Sequence, residues 1–300
     1  MEIDPENIII NETVNGHVVY LMMIEVWDGL YAPIGVRKPD GQGPFPMILL
    51  ASGNGGEGMN WIRDSMHNRS YTVDRLVEAG FACAWIRYRT EVELGYHNGG
   101  KLIRDSRQGR EMFNRSPLEY EDEIAIAEYL KKIPWVNSKK LGMIGMSHGG
   151  EMVLKITSEY HGFAAAVASE PASHEFLALK PDNTVFVNEE TGLRNIEEMQ
   201  MHKVEKVRKR IDMDLAMKRI ESIKTPILVM GRDQDHLQGI FKTSYDLLVE
   251  AGKIADWISY EHDYHGYVFP IRGDDGDYMV NSVQKEAISF VVSWLRNKLG

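Results

Sequence analysis

The stretch Leu141-Gly142-Met143-Ile144-Gly145-Met146-Ser147-His148-Gly149-Gly150 decides how the rest of the chain is read. Its first half is a short apolar run of the kind buried in the middle of a sheet. Residues 149–160 then continue with apolar positions at helical spacing. A strand that passes straight into a helix through a serine forces that serine into a strained conformation, and bulky neighbours would block the turn. Glycines at 145 and 149 remove the obstruction. A Gly-x-Ser-x-Gly pattern is short enough to recur by chance, and a plain glycine turn is the bland alternative. The strand before it and the helix after it are what mark Ser147 as a candidate nucleophile.

Working outward, the same alternation continues on both sides. Upstream, residues 17–26 and 30–37 read as two strands around the turn Asp28-Gly29, and Phe45–Ala51 as a strand buried on both faces. A glycine-rich loop over 53–58 follows. Residues 70–79 then read as a helix stopped by Gly80, 81–88 as a strand, and 116–133 as a helix with Ser116 at its cap and Pro117 at its first position. Downstream, 163–169, 226–230 and 255–261 read as strands, 241–251 and 280–298 as helices. Strands alternating with helices imply an α/β fold with a mostly parallel sheet and helices on both faces. The leading strand pair implies an antiparallel edge. One domain over 1–300 is expected, interrupted at 170–225 by a helical insertion or cap. The insertion carries a local excess of charge, eight Lys/Arg and four Asp/Glu over 201–225, which reads as a solvated helix face.

Composition narrows the function. Lys+Arg is 34 and Asp+Glu is 44, a net charge of −10, so nucleic acid is not an expected partner. No apolar run reaches the ~18 residues of a membrane span. A single cysteine, Cys83, excludes an internal disulfide and any multi-cysteine metal site. The acidic N-terminal residues show no secretory signal, and a cytoplasmic protein is expected. Self-association into a homo-oligomer stays open.

A serine nucleophile needs a base and an acid that orients it. Two downstream loops follow strand ends, where open α/β sheets place their sites. One is Gly231-Arg232-Asp233-Gln234-Asp235-His236; the other is His262-Asp263-Tyr264-His265-Gly266. His265 is the expected base, and His262 a supporting or surface residue. Asp233 and Asp235 follow the same strand and are both candidate acids, with Glu170 a third. His262 and His265 as a metal pair lack a third ligand nearby, so no metal is expected. The oxyanion would be held by the backbone N–H groups of His148 and Asn54. The loop holding Asn54 also carries a rival reading. Gly53-x-Gly55-x-x-Gly58 has dinucleotide-binding spacing, but the next strand ends Arg87-Tyr88-Arg89 with no acid to hold a ribose before Glu91. No cofactor is therefore expected, and an NADP oxidoreductase using Arg87 or Arg89 remains the outlying alternative.

The run from Ile133-Pro134-Trp135-Val136-Asn137 to Gly145-Met146-Ser147-His148-Gly149-Gly150 resembles the nucleophile region of prolyl-oligopeptidase-like and dienelactone-hydrolase-like α/β-hydrolases. Residues 260–266 resemble their segment around the catalytic histidine. The resemblance covers roughly residues 45–300 apart from the insertion, and implies a Ser-Asp-His hydrolase of esters, thioesters or peptides. Spacing to the histidine in those families favours Asp233, whereas Asp235-His236-Leu237 is similar to the turn that carries the acid of dienelactone hydrolase. The chain also departs from both families. It has no room for the propeller of a prolyl oligopeptidase, and it has serine where dienelactone hydrolase has cysteine. The resulting expectation is a serine hydrolase of small carboxylic esters. A short-peptide peptidase, a thioesterase and a non-catalytic binding protein on the same fold are the alternatives. The basic residues of 101–115 and the methionines of the insertion (Met199, Met201, Met213, Met217) are candidate substrate contacts, with solvated surface and core packing as their bland readings.

Overall fold

The computed structural model describes residues 8–14, 16–53, 59–88, 118–180 and 201–300. Its strands are β1 (Ile8–Val14), β2 (His17–Glu25), β3 (Tyr31–Arg37), β4 (Phe45–Ala51), β5 (Ala82–Ile86), β6 (Val136–Met146), β7 (Ala165–Ser169), β8 (Ile227–Arg232) and β9 (Ala255–Tyr260). Its helices are α1 (Met59–Asn68), α2 (Tyr71–Glu78), α3 (Leu118–Leu130), α4 (His148–Glu159), α5 (Val204–Arg208), α6 (Met213–Ser222), α7 (Gln238–Glu250) and α8 (Ser282–Leu299). The strands form one sheet in the order β1-β2-β3-β5-β4-β6-β7-β8-β9. β1, β2, β3 and β5 pair antiparallel in succession, and every pairing from β5 through β4 to β9 is parallel.

The central parallel strands β4, β5 and β7 and the second half of β6 are apolar because both of their faces are covered, and alternate residues serve opposite cores. Met47, Leu49, Ala82, Ala84, Ala166, Ala168, Ile227 and Val229 face one core, built with Ile126, Val153, Ile156 and Phe241 of α3, α4 and α7. Ile48, Leu50, Cys83, Trp85, Ala165, Val167, Leu228 and Met230 face the other, built with Ile62, Leu76, Ile288 and Leu295 of α1, α2 and α8. The carboxyl ends of β4, β6, β7, β8 and β9 consequently open side by side at one edge, and the loops that leave them carry the candidate site.

Several elements differ from the sequence reading. β1 adds an outer strand that it did not include. α1 occupies 59–68, a stretch to which the sequence reading assigned no element, with Ile62 and Met66 one turn apart on its buried side. β6 begins at Val136 rather than near 140. The described part of the 170–225 segment holds two short helices, separated where Ile211 bridges Leu179. α6 packs against α4 and α7 and buries Ala216 and Ile220, so it serves as the crossover between the parallel strands β7 and β8. Residues 181–200, including Met199, lie outside the described residues, and so do the basic loop 101–115 and the cap residues Ser116 and Pro117.

Candidate active site

Ser147 sits where β6 turns into α4, with φ 56° and ψ −114°. A non-glycine residue held there costs roughly 1–3 kcal/mol, so the surrounding structure must impose it. It does so by close approach. A Cβ on Gly145 would lie 2.0 Å from the Gly149 carbonyl oxygen, and one on Gly149 would lie 2.2 Å from the Ala51 carbonyl oxygen. The Ser147 N–H donates to Ser169 O (2.9 Å), and its carbonyl accepts from Glu151 and Ala172 N–H groups (3.1 Å each). The peptide is thereby fixed from three sides, while the hydroxyl makes no capping bond to α4.

His265 lies on the loop after β9. The next residue, Gly266, is so close to the elbow that a Cβ there would meet Met146 Sδ at 2.3 Å. The base candidate is thus seated beside the residue preceding Ser147. Its Nδ1 is 2.9 Å from Asp235 Oδ2. Asp235 is fully buried. The same oxygen accepts from Arg232 Nε (3.0 Å) and Nη2 (2.8 Å), and Oδ1 accepts from the Leu237 N–H (2.7 Å). Arg232 also donates through Nη1 to the carbonyls of His262 (3.0 Å) and Asp263 (3.1 Å), tying the acid loop to the histidine loop. Burial works against the Asp235 charge, but the bonds from His265, Leu237 and Arg232 outweigh it and hold the carboxyl below its usual range. Burial likewise disfavours a charged His265, yet the Asp235 bond and the nearby Glu170 carboxylate outweigh it and push the imidazole up to about 9.

The geometry corrects the preference for Asp233. That residue is exposed, and its carboxylate accepts from the Ser259 hydroxyl instead of meeting His265. The reason lies in the backbone. The Asp233 N–H still pairs with Tyr260 O, extending the β8–β9 ladder, whereas the Asp235 N–H closes a turn onto Arg232 O and brings its side chain inward. Glu170 also belongs to this group: Glu170, Asp235 and His265 place their ligating atoms within 4.8 Å of one another. His262 is buried behind the loop, where its Nδ1 accepts from the Tyr264 N–H (3.0 Å).

His148 opens α4, so its N–H points from the positive end of the helix, an arrangement that suits an oxyanion. Asn54, the other expected donor, lies outside the described residues, as do Gly55 and Gly58. The described start of that loop does reach the elbow: a Cβ on Gly53 would lie 3.4 Å from Ser147 Cβ. Two residues that sequence reasoning did not assign to the site hold this loop. Arg87 donates through Nη1 to Ser52 Oγ and Gly53 O (2.9 Å each), with its guanidinium over the Trp61 ring, and Tyr88 OH donates to Ser52 O (2.6 Å). Tyr88 also meets the His148 ring edge-on, and His148 Nε2 lies 2.7 Å from the buried Glu119 Oε2. An arginine ending a buried strand beside a glycine-rich loop was the available signal.

This architecture makes the chain an α/β-hydrolase, and its chemistry that of a serine hydrolase. Within that class it belongs to the prolyl oligopeptidase family, whose profile matches residues 67–298. Among solved structures it is similar to EstE1, a thermophilic carboxylesterase from a metagenomic library, at 17% identity and a TM-score of 0.62 over 97% of this chain and 92% of that one. It is similar to a putative dienelactone hydrolase from Klebsiella pneumoniae at 16% identity and a TM-score of 0.58, covering 93% of this chain and 98% of the other. It is also similar to Porphyromonas gingivalis dipeptidyl peptidase 4 at 18% identity and a TM-score of 0.60, covering 94% of this chain but only 36% of that protein. No curated protein sequence matches significantly. Among the described residues no helix is long and apolar enough to cross a membrane.

Proposed function

We propose that the chain cleaves carboxylic esters through an acyl-enzyme, with Ser147 as nucleophile, His265 as base and Asp235 as the carboxylate that orients it. A carboxylate only accepts hydrogen bonds, so the ring proton of neutral His265 sits on Nδ1 and the Nε2 lone pair is left for the serine. Ser147 Oγ attacks the acyl carbon as its proton passes to His265 Nε2. The carbonyl oxygen takes up the charge and is met by the His148 N–H, with Asn54 as the expected second donor. Collapse of the tetrahedral species expels the alkoxide, which takes the proton from His265. Water then repeats the sequence on the acyl-enzyme and frees the acid.

The observation that carries this reading is the His265–Asp235 pair, seated against Met146 beside a strained serine. What supports esters is the similarity of the fold to EstE1, a carboxylesterase, at a TM-score of 0.62. A fluorophosphonate probe tests the nucleophile: it should label the protein once, at Ser147, and Ser147→Ala should abolish labelling and lose at least ~10³-fold in kcat. Labelling that survives the substitution refutes the assignment. A panel of p-nitrophenyl esters, a peptide amide and an acyl thioester tests the substrate class. Turnover of the amide ahead of every ester would make the chain a peptidase.

A further inference from the structure

Glu170 stands at the end of β7, and nothing in the triad chemistry requires a second acid there. Its backbone has φ 47°, a left-handed conformation that a glutamate adopts at a cost, and its side chain is fully buried. Oε2 accepts the Gly266 N–H at 2.8 Å, so the carboxylate holds the peptide that follows His265. Oε1 lies 3.3 Å from His265 Nδ1 and 3.6 Å from Arg232 Nε, yet it satisfies no hydrogen bond. A buried carboxylate oxygen aimed at an imidazole and left without a bond is expensive to keep unless a charge appears beside it.

The charges around the imidazole show when that happens. The end of β7 supplies Glu170, and the loop after β8 supplies Asp235, with Arg232 as the cation shared between them. His236 Nδ1 approaches Asp235 Oδ1 at 3.3 Å from the far side. α7 presents the Phe241 ring to His265. On the His265 loop, Asp263 and Tyr264 are exposed, and the Asp263 carbonyl is held by Arg232. From the other side of the loop, Tyr267 directs its hydroxyl to Gly231 O. Among the described residues, the carboxylates of Glu170 and Asp235 thus share the Arg232 guanidinium while His265 is neutral. A second proton on His265, the state created as Ser147 attacks, places a further positive charge between them.

We propose that Glu170 is a second positioning residue for the base, bracketing His265 together with Asp235 by holding the Gly266 peptide with one oxygen and the Nδ1 edge of the charged imidazole with the other. This rests on His265 being the base of the proposed reaction. The raised pKa of His265, in which burial is outweighed by Asp235 and then Glu170, agrees with the geometry. The consequence is an alkaline working range. The base is active only when neutral, and each carboxylate beside Nδ1 moves its deprotonation upward in pH.

The test is an NMR titration of the His265 imidazole in the intact protein, assigned with His265→Ala, for the parent and for Glu170→Gln. The amide keeps an acceptor for the Gly266 N–H while removing the charge. The parent His265 should titrate well above the ordinary value of about 6.5, and Glu170→Gln should lower it by about one pH unit or more. The acid limb of the kcat/KM profile should move the same way. A purely structural glutamate would leave the titration of His265 unmoved in a folded variant, and that result overturns the proposal. If the variant does not fold, the parent titration decides alone: a value at or below 6.5 also overturns it. The titration needs no substrate. Failure of fluorophosphonate labelling with a shifted His265 therefore counts against the hydrolase reading, and normal labelling with an unshifted His265 counts against the bracket.

Discussion

Replacing Asp235 by asparagine keeps the shape of the side chain and removes the charge that four donors converge on. The amide has one oxygen for two sets of donors: it either offers it to His265 and Arg232 and turns its NH2 toward the Leu237 N–H, or keeps it for Leu237 and turns the NH2 toward His265 and Arg232. In the second case the imidazole is driven to the wrong tautomer, with its proton on Nε2 where the lone pair is needed. A charge-assisted bond is worth about 1.5–3 kcal/mol, and it strengthens as the imidazolium forms. Together with partial loss of the tautomer the expected cost is about 4 kcal/mol, a ~10³-fold fall in kcat. This sits below the ~10⁴-fold seen for a serine protease triad aspartate because Glu170 remains beside Nδ1. Asp233→Asn removes an exposed charge bonded only to Ser259, and should leave kcat within ~3-fold. The assay is steady-state hydrolysis of a short p-nitrophenyl ester, with fluorophosphonate labelling rates as a check that needs no turnover. Circular dichroism should show both variants folded. A dead Asp233→Asn beside an Asp235→Asn within tenfold of the parent would refute the reasoning from geometry.

Stability and activity should run in opposite directions between neutral and alkaline pH. His265 has a raised folded-state pKa, so the stability it contributes is fully present below about 6.5 and is lost as pH rises through about 9. Thermal melts should show Tm declining over that window while ester turnover climbs, and Asp235→Asn should flatten the decline; a Tm that rises across it contradicts the pairing. Gly149→Ala should destabilise the fold by about 3 kcal/mol or more, because its Cβ meets backbone at Ala51 and Ser52 rather than a side chain that can move. Urea unfolding measures this, and a loss under 1 kcal/mol would show the elbow to be looser than described.

The parallel core of the sheet was legible because burial on both faces writes itself as continuous apolar runs, as in Phe45–Ala51 and Ala82–Ile86. The elbow was legible because its glycines are obligatory. Outside that core, sequence signals weaken for physical reasons. α1 buries only a narrow face around Ile62 and Met66 and follows a glycine-rich loop, so its periodicity is faint. The reading of 170–225 as a helical insertion concealed the break at Ile211, since a bridge to Leu179 is a long-range event that no local window contains. The acid was underdetermined because Asp233 and Asp235 follow the same strand, and the choice depends on where the β8–β9 ladder stops. Glu170 could be named as an acid after a strand, but its partnership with Gly266 and His265 joins residues nearly a hundred positions apart. Arg87 entered the sequence reading only through the NADP alternative. That it holds the start of the loop at Ser52 and Gly53 emerges once β5 is placed beside β4.

The single guanidinium of Arg232 touches or approaches groups from three strand ends: Asp235 after β8, the carbonyls of His262 and Asp263 after β9, and Glu170 after β7. None of these groups is near Ser147 in the chain, and His265 is made long after it. During synthesis the nucleophile elbow can take shape on β6 while its base is still inside the ribosome. On the proposed mechanism, hydrolytic competence requires β9 to have joined β8 and the clasp to have closed. Recovery of turnover during refolding would accordingly time the final pairing of the sheet, a long-range and intrinsically slow step, rather than the formation of the elbow itself.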